Sequence, residues 1–293
     1  MQAGPLWPPA STRGLSGRGG VVDDQRGCRR SAGGDLVRGA QHDPYSSIQA
    51  AVTGSGAGDT IVVCDGVYNE QVTINKSLTL AGSGNSIIQA PATLTADSAG
   101  KKNVVEVNNA ASVRMSGFTV SGPGPSDCGS IDTGIAVLGD ATLDLGSTAI
   151  NNIEDTPFSG CQNDEGIRIG TPRYSSTAGV GHATINKVSV TDYQKNGIVV
   201  AGTGSTGKIT NTVVTGHGKT PSIAENGVEI VDGAQAVIST STMRDNFYTG
   251  TQPAVSCGLL VINANGVTDN TNVYLANQKD KCTSGGRGGN HQG

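Results

Sequence analysis

Aromatic residues are scarce in this sequence, with one Trp, six Tyr and three Phe against 44 Gly. Rings at that frequency cannot fill the interior of a 293-residue chain. The core must therefore consist of Val, Ile, Leu and Ala, which are the other residues most often buried, arranged in small repeated units. No apolar run approaches the length of a membrane-spanning helix.

Positive charge is also sparse outside the N-terminus. Residues 1–42 hold six Arg against three Asp, whereas the remainder holds 14 Lys and Arg against 21 Asp and Glu. A nucleic-acid-binding face needs clustered positive charge, so the acidic body argues against a nucleic-acid partner. We predict that the Arg- and Gly-rich residues 1–42 are disordered, that residues 43–282 form one domain, and that residues 283–293 form a flexible tail.

None of the six cysteines belongs to a CxxC pair, and their spacing lacks a zinc signature. Disulfides formed in an oxidising compartment are the preferred interpretation, and burial as small apolar residues is the alternative. The pairs that lie about one repeat apart are Cys128 with Cys161 and Cys257 with Cys282, which leaves Cys28 and Cys64. We therefore expect an extracellular location, although residues 1–20 show no signal peptide. A wrongly assigned start codon would explain that difference.

Short strands led by glycine recur from residue 134 onwards. The leading glycines are Gly134, Gly166, Gly197, Gly227 and Gly258, at spacings of 32, 31, 30 and 31 residues. Helical periodicity is missing from these units, whereas short apolar alternations bounded by Gly, Asn and Asp favour strands. Two or three strands per unit of about 30 residues predict an all-β parallel β-helix, with coils about 4.8 Å apart. Seven or eight coils fit between residues 60 and 278.

Alternation within the strands predicts which side chains fill the interior. Ile167 and Ile169 point inward and Arg168 points outward, and Glu229 is outward by the same register. Since Arg168 and Glu229 lie two coils apart, we expect a separation of roughly 9–10 Å and a solvated role for both. The Asn-Gly pair at residues 196–197, like the pair at 226–227, favours a turn with positive φ.

The segment before the first strand has a different periodicity. In YSSIQAAV, Ile48, Ala51 and Val52 lie on one helical face, and GSGAGD then leads into the strand TIVV. A phosphate-binding loop would follow a strand and open a helix, and here the order is reversed. We therefore predict that a short helix from Tyr45 to Val52 covers the open end of the first coil.

The stretch YSSIQAAVTGSGAGDTIVVCDGVYNEQVTINKSLTLAGSG resembles the N-terminal coils of the pectin lyase-like superfamily, including pectinesterase-like and NosD-like members. The resemblance covers about residues 43–280 and implies a right-handed parallel β-helix. It implies no single activity, because the superfamily includes lyases, hydrolases, esterases, epimerases, adhesins and proteins without known catalysis.

The catalytic signatures of these enzymes are missing. Residues 66–70, GVYNE, match the GxYxE segment of pectinesterases, but the segments that carry the acid–base pair and the arginine are absent, so the match is structural. His217, in a GHG triplet, resembles the histidine segment of polygalacturonases without its two acidic partners. Copper binding by analogy with NosD-like members finds no support, because the four His are scattered and only three Met are present.

Candidate site residues follow from position along the repeat. The loops before the leading glycines lie on one edge of the solenoid, so their side chains line one groove, where acids and bases can transfer protons and tyrosines can stack on sugars. The predicted catalytic residues are Asp164, Glu165, Asp192, Lys195, His217, Glu225 and Asp245. The predicted substrate-binding residues are Tyr193, Lys219, Arg244 and Tyr248. A wet loop surface without activity is the alternative.

Two functions remain open from the sequence. The first is a secreted, monomeric protein that acts on a polysaccharide, as a pectate- or uronate-type lyase or as a glycoside hydrolase. The second is a non-catalytic carbohydrate-binding or surface structural protein. No cofactor motif is visible, and Ca²⁺ is the one ion that the resemblance to uronic-acid lyases leaves open.

Overall fold

The computed structural model describes residues 37–38, 44–122, 128–171, 179–264 and 266–284. The chain enters the fold through β1 (Val37–Arg38) and β2 (Pro44–Tyr45), which pair antiparallel, and through α1 (Ile48–Gly54). Val37–Arg38 also pairs with the first strand of the body. This part of the segment predicted to be disordered is therefore a strand.

The body consists of three parallel sheets, because each repeat contributes one strand to each sheet. Sheet I contains β3 (Thr60–Val63), the first half of β6 (Leu78–Gln89), the first half of β8 (Ser112–Ser121), β10 (Ala141–Gly146), β13 (Gly181–Asn186), β16 (Thr206–Thr210), β19 (Gln235–Ser239) and β22 (Gly266–Asn270). Sheet II contains β4 (Gly66–Asn69), the second halves of β6 and β8, β11 (Ala149–Asn151), β14 (Ser189–Thr191), β17 (Val213–Thr220), β20 (Thr242–Tyr248) and β23 (Val273–Leu275). Sheet III contains β5 (Val72–Ile74), β7 (Asn103–Val107), β9 (Thr133–Val137), β12 (Glu165–Gly170), β15 (Asn196–Ala201), β18 (Asn226–Val231), β21 (Cys257–Ile262) and β24 (Lys279–Ser284).

Each coil passes through sheets I, II and III in turn, so eight coils are stacked in the part of the chain that the structure describes. The predicted all-β parallel β-helix is confirmed. Strand β24 ends at Ser284, so Thr283 and Ser284 belong to the last coil rather than to the predicted tail. Residues 285–293, like residues 1–36, lie outside the described ranges.

Three columns of buried apolar side chains form the interior. The sheet I column contains Ile61, Leu80, Met115, Leu145, Ile185, Ile209 and Ile238. The sheet II column contains Tyr68, Ile88, Val120, Ile150, Val190, Val214 and Met243. The sheet III column contains Val72, Val105, Ile135, Ile167, Ile198, Val228 and Leu259. All of these side chains belong to one core cluster, which holds the coils together by removing apolar area from water.

The N-terminal helix covers the first coil, as predicted, but it begins at Ile48 rather than at Tyr45. Ile48, Ala51 and Val52 are buried against the core. The carboxylate of Glu70 accepts hydrogen bonds from the backbone N–H groups of Ile48 at 2.8 Å and of Gln49 at 2.9 Å. Those two N–H groups have no partner within the helix, so the glutamate of the GxYxE segment anchors the helix onto the first coil.

Disulfides join neighbouring coils. Cys128 pairs with Cys161, with a Cα–Cα distance of 5.6 Å, and Cys257 pairs with Cys282 at 6.0 Å. Both pairs are the ones that the repeat spacing favoured. Cys64 is also disulfide-bonded, and Cys28, which the same spacing left over, lies outside the described residues.

The leading glycines stack in register, because a side chain at this position would strike the next coil. A Cβ on Gly197 would lie 2.2 Å from Cγ1 of Val214 and 2.6 Å from the carbonyl oxygen of Gly227. The prediction of positive-φ turns at the Asn-Gly pairs is wrong. Both glycines lie inside strands β15 and β18 without positive φ, and close packing rather than a turn requires them.

Replacing Gly197 by Ala should therefore destabilise the protein by about 1–3 kcal/mol through overpacking. The matched control is Gly146→Ala, where a Cβ would find its nearest neighbours at 3.9 Å and φ is ordinary. Both changes restrict the unfolded chain equally, so their difference reports the clash. Equal unfolding free energies for the two variants in urea titrations would contradict this explanation.

Candidate functional site

A column of polar residues lies at the corner between sheets II and III, two residues before each leading glycine. Its members are Asp132, Asp164, Lys195, Glu225 and Ser256. Backbone hydrogen bonds link the coils here, from the N–H of Lys195 to the carbonyl of Asp164 and from the N–H of Asn226 to the carbonyl of Lys195. The predicted residues Asp164, Lys195 and Glu225 are thus neighbours in space although about 30 residues separate them in sequence.

His217 is held between two glutamates, in a group that we name the histidine clamp (Glu154, His217 and Glu225). Its Nε2 lies 2.6 Å from Oε2 of Glu154, and its Nδ1 lies 2.5 Å from Oε1 of Glu225. The ring of Phe158 packs beside it, with centroids 4.2 Å apart. The backbone of His217 is exposed, but its side chain is only 21% exposed and that of Glu225 is fully buried.

The two carboxylates decide the charge of the imidazole. Burial alone would lower the pKa of His217, but the hydrogen bonds and charges of Glu154 and Glu225 raise that pKa to about 10. Burial raises the pKa of Glu225, against the opposing effect of His217. An imidazolium fixed between two glutamates ties the loop that carries Glu154 to strand β17, and it is a poor general base at neutral pH.

A pair of aspartates lies next to the clamp. Ser159 donates a hydrogen bond to Oδ2 of Asp155 at 2.6 Å, and Gln194 donates another at 3.0 Å. Asp164 is completely buried. Burial, the charges of Asp155, Asp132 and Glu165, and a hydrogen bond with Asp155 raise the pKa of Asp164 to about 9. Asp164 is therefore protonated at neutral pH.

Four ionisable side chains gather at the outer face of sheet III and its adjoining corner, and we name them the outer cluster: Glu165, Arg168, Lys195 and Glu229. Arg168 and Glu229 are buried, whereas Glu165 and Lys195 are partly exposed. Nη1 of Arg168 lies 3.7 Å from Oε2 of Glu165, and Asn196 donates a hydrogen bond to Glu229 at 2.7 Å. Arg168 and Glu229 point outward, as predicted, but the expected solvated role is wrong, since they are only 5% and 3% exposed.

Burial moves the pKa values of the outer cluster toward neutral pH. It raises the pKa of Glu165 to about 7, against the opposing charge of Arg168 and with the support of Glu229. It also raises the pKa of Glu229 to about 7, against the charge of Lys195. Burial lowers the pKa of Lys195, against three nearby glutamates. Glu165 is the accessible carboxyl of this pair, with a side chain that is 17% exposed.

A polar cavity of about 370 Å³ lies on the same face, at the N-terminal coils. Its lining includes Thr73, Asp97, Lys101, Asn103 and Glu106. Nη2 of Arg168 donates a hydrogen bond at 3.4 Å to Oδ1 of Asn103, which lines the cavity. The Arg168 side chain passes over the small side chain of Ala136 on the coil between them. The outer cluster therefore reaches the cavity. The cavity and the cluster therefore form one polar surface across coils 2–6.

The remaining predicted residues lie apart from this surface. Asp192 is exposed at a turn with positive φ, Arg244 pairs with Asp245 at 2.5 Å, and Lys219 lies 5.3 Å over the ring of Phe247.

The two predicted tyrosines are not available for stacking on a sugar. Tyr193 is completely buried and donates a hydrogen bond from its hydroxyl to Asn246 at 2.6 Å. Tyr248 is 7% exposed, and its hydroxyl accepts a hydrogen bond from the N–H of Gln252. Both side chains serve the packing of the coils instead.

The site also contains residues that the sequence-based selection missed. They are Asp132, Glu154, Arg168 and Glu229. Asp132 adds its charge to the pair formed by Asp155 and Asp164, Glu154 belongs to the histidine clamp, and Arg168 and Glu229 belong to the outer cluster. A simple signal marks three of them, because Asp132 lies two residues before a leading glycine and Arg168 and Glu229 lie two residues after one. Glu154 has no such signal, since it comes from an irregular loop.

In the described ranges, the one group of His, Cys, Asp and Glu ligand atoms close enough to share an ion is Cys128, Asp155 and Cys161. Its two cysteines form a disulfide and so offer no thiolate to a metal ion. No helix in the described ranges is long and apolar enough to cross a membrane.

Comparison with known proteins yields structural neighbours but no sequence relatives. No family model matches the chain, and no curated protein does. A solved pectin methylesterase variant in complex with a hexasaccharide is 13% identical, with a TM-score of 0.45 over 77% of this chain and 86% of that one. An alginate lyase from Paenibacillus sp. str. FPU-7 is 14% identical, with a TM-score of 0.42 over 80% and 96%. At such values these likenesses carry no argument about family or activity.

Replacing His217 by Gln should cost about 2–4 kcal/mol, near the lower end of the range for breaking a buried ion pair, because the side chain is partly exposed. Its pKa rises from 6.5 to about 10 on folding. The contribution of His217 to stability is therefore complete below about pH 6.5 and is lost as the pH rises toward 10. Urea unfolding of both proteins at about pH 6, 8 and 10 should show the difference shrinking.

The matched control is His182→Gln on sheet I, where the imidazole makes a surface pair with Asp140 and its loss should cost less than about 1 kcal/mol. A difference between wild type and His217→Gln that stays constant across this pH range would show that His217 is neutral in the folded protein.

Proposed function

We propose that the protein acts on a polysaccharide that lies along the outer face of sheet III, with Glu165 as the residue that transfers the proton. One observation carries this proposal: Arg168 and Glu229 are buried at outward strand positions, beside the partly exposed Glu165 and Lys195 and near a polar cavity. Burying charged groups is costly, and perturbed carboxyl groups next to a cavity mark functional sites more often than chance.

The chemistry of the outer cluster fits glycosidic bond hydrolysis. A carboxyl with a pKa near 7 can donate a proton to the leaving oxygen at neutral pH. Hydrolysis uses two carboxyl groups, and Glu229 supplies a second one close enough to raise the pKa of Glu165. A lyase would need Lys195 as its base, and the Nζ of Lys195 is already engaged with the carbonyl oxygen of Ala224 at 3.1 Å. Among the predicted activities, the geometry therefore favours a glycoside hydrolase.

The shape of the surface supports a long ligand. One row of the sheet is polar at every coil from 2 to 6, with the members Asn103, Thr133, Glu165, Asn196 and Asn226. Ala136 and Val199 interrupt the neighbouring row, which contains Arg168 and Glu229. At about 4.8 Å per coil, the polar row spans roughly 20 Å, which suits several consecutive sugar units. The disulfides support an oxidising, extracellular location.

A non-catalytic carbohydrate-binding protein is the second candidate, and one observation favours it. Asp164 and Glu229 are almost completely buried, so the face could hold a glycan without bringing a second carboxyl to the bond.

Incubation of the purified protein with neutral glycans, pectins and alginates separates the two candidate functions. New reducing ends indicate hydrolysis, ultraviolet absorbance of unsaturated uronides indicates a lyase, and retention without products indicates binding. Parallel reactions with Ca²⁺ and with a chelator test whether the activity or the binding depends on Ca²⁺.

For a hydrolase, Glu165→Gln should lower turnover by roughly 10²–10⁴-fold, which is the usual contribution of a general acid. Glu165 also pairs with the buried Arg168, so a thermal unfolding curve of the variant must show that it is folded at the assay temperature. Wild-type turnover should fall as the pH rises through about 7, because Glu165 loses its proton there.

Asp144→Asn is the matched control, because Asp144 is an exposed carboxylate on the outer face of sheet I. Full activity of Glu165→Gln on a glycan that the wild type cleaves would rule out the proposed role of Glu165.

A further inference from the structure

All three interior columns change character in the last coil. After seven buried apolar residues, the eighth position holds Asp269 in sheet I, Tyr274 in sheet II and Lys281 in sheet III. The residues directly beneath them are Ile238, Met243 and Leu259, which are at most 3% exposed. The aliphatic or methionine side chain of each of these three columns is thus replaced in the same coil, the eighth.

The three residues contact one another, and we name them the end cluster. Nζ of Lys281 lies 2.5 Å from Oδ2 of Asp269 and 5.1 Å from the centre of the Tyr274 ring. The side chain of Asn272 donates a hydrogen bond to Oδ1 of Asp269 at 2.5 Å. The substitutions therefore build one connected polar group across the interior of the last coil.

The end cluster is wet on one side. The side chain of Lys281 is 55% exposed, and that of Asp269 is 14% exposed. Burial would raise the pKa of Asp269, but hydrogen bonds from Lys281, Asn272 and Tyr274 lower it below its usual value. The carboxylate of Asp269 is therefore charged at neutral pH, and its pair with Lys281 lies over the apolar layer of coil 7.

We propose that the end cluster closes the C-terminal end of the stack against a second copy of this chain and so keeps the protein monomeric. An eighth apolar layer would present a flat hydrophobic face rimmed by three strand edges, which is a template for further coils. A second copy would have to remove the Asp269–Lys281 pair from water, and the cost of desolvating a buried ion pair can exceed its Coulombic gain. The N-terminal end is closed differently, by the helix that Glu70 anchors.

The test restores the residues of the preceding coil by combining Asp269→Ile with Lys281→Leu. Replacing an ion pair by apolar residues of similar volume is often neutral or stabilising for the fold, so the circular dichroism spectrum should be unchanged. In sedimentation equilibrium, the variant should associate as its concentration rises, with an apparent mass at least twice that of the monomer. The wild type should keep the monomer mass at the same concentrations.

The matched control combines Arg114→Leu with Asp144→Ile. This change removes an exposed ion pair, separated by 3.7 Å, from the lateral face of sheet I, and it adds the same apolar groups away from the end. It should stay monomeric. A folded end-cluster variant that stays monomeric would overturn the proposal, and so would equal association of the control.

A second arm of the test does not depend on the end-cluster variant. The proposal requires that the wild-type chain sediments as a monomer over the full concentration range. If two copies of the otherwise wild-type chain with Asn270→Cys form a disulfide-linked dimer, their C-terminal ends meet. That result would overturn the proposal even if the double variant fails to fold.

Discussion

The whole structure depends on stacking one apolar layer of side chains on the next, with about 4.8 Å between backbones. This constraint explains why glycine recurs once per coil. At the start of each sheet III strand the neighbouring backbone is so close that a Cβ on Gly166 would lie 2.5 Å from the carbonyl oxygen of Gly197. It also explains why few aromatic side chains occur, since a layer this thin has room for Ile, Val and Leu but seldom for rings.

The same constraint decides where chemistry can lie. Because the interior positions are filled, ionisable side chains are confined to the corners and to the outward strand positions. Parallel register then brings residues about 30 positions apart in the sequence to within one coil of each other, as with Asp164 and Lys195. Crowding in these rows excludes water, and the exclusion of water is the main cause of the raised pKa values of Asp164, Glu165 and Glu229.

A stacked architecture also leaves two open ends, and this chain closes them by different physical means. At the N-terminus an amphipathic helix buries Ile48, Ala51 and Val52 over the first coil. At the C-terminus the side chains of the coil itself become polar, with Asp269 and Lys281 paired over the last apolar layer. The helix covers the apolar surface of the first coil, whereas Asp269 and Lys281 replace apolar side chains in the last coil.

The sequence by itself determined the period and the inward faces of the strands, because both follow from a local repeat of about 30 residues, and the same repeat favoured two of the disulfides without fixing the pairing. It also located the capping helix, through the helical spacing of Ile48, Ala51 and Val52 ahead of the repeats. Tertiary structure alone decided that Arg168 and Glu229 are buried and that Glu154 meets His217. Both outcomes depend on the paths of loops whose lengths do not repeat, and on an irregularity in strand β17 between Thr215 and Gly218 that shifts the register beside His217. A periodic pattern fixes what repeats, but a site built from irregular loops is fixed only when the coils are stacked.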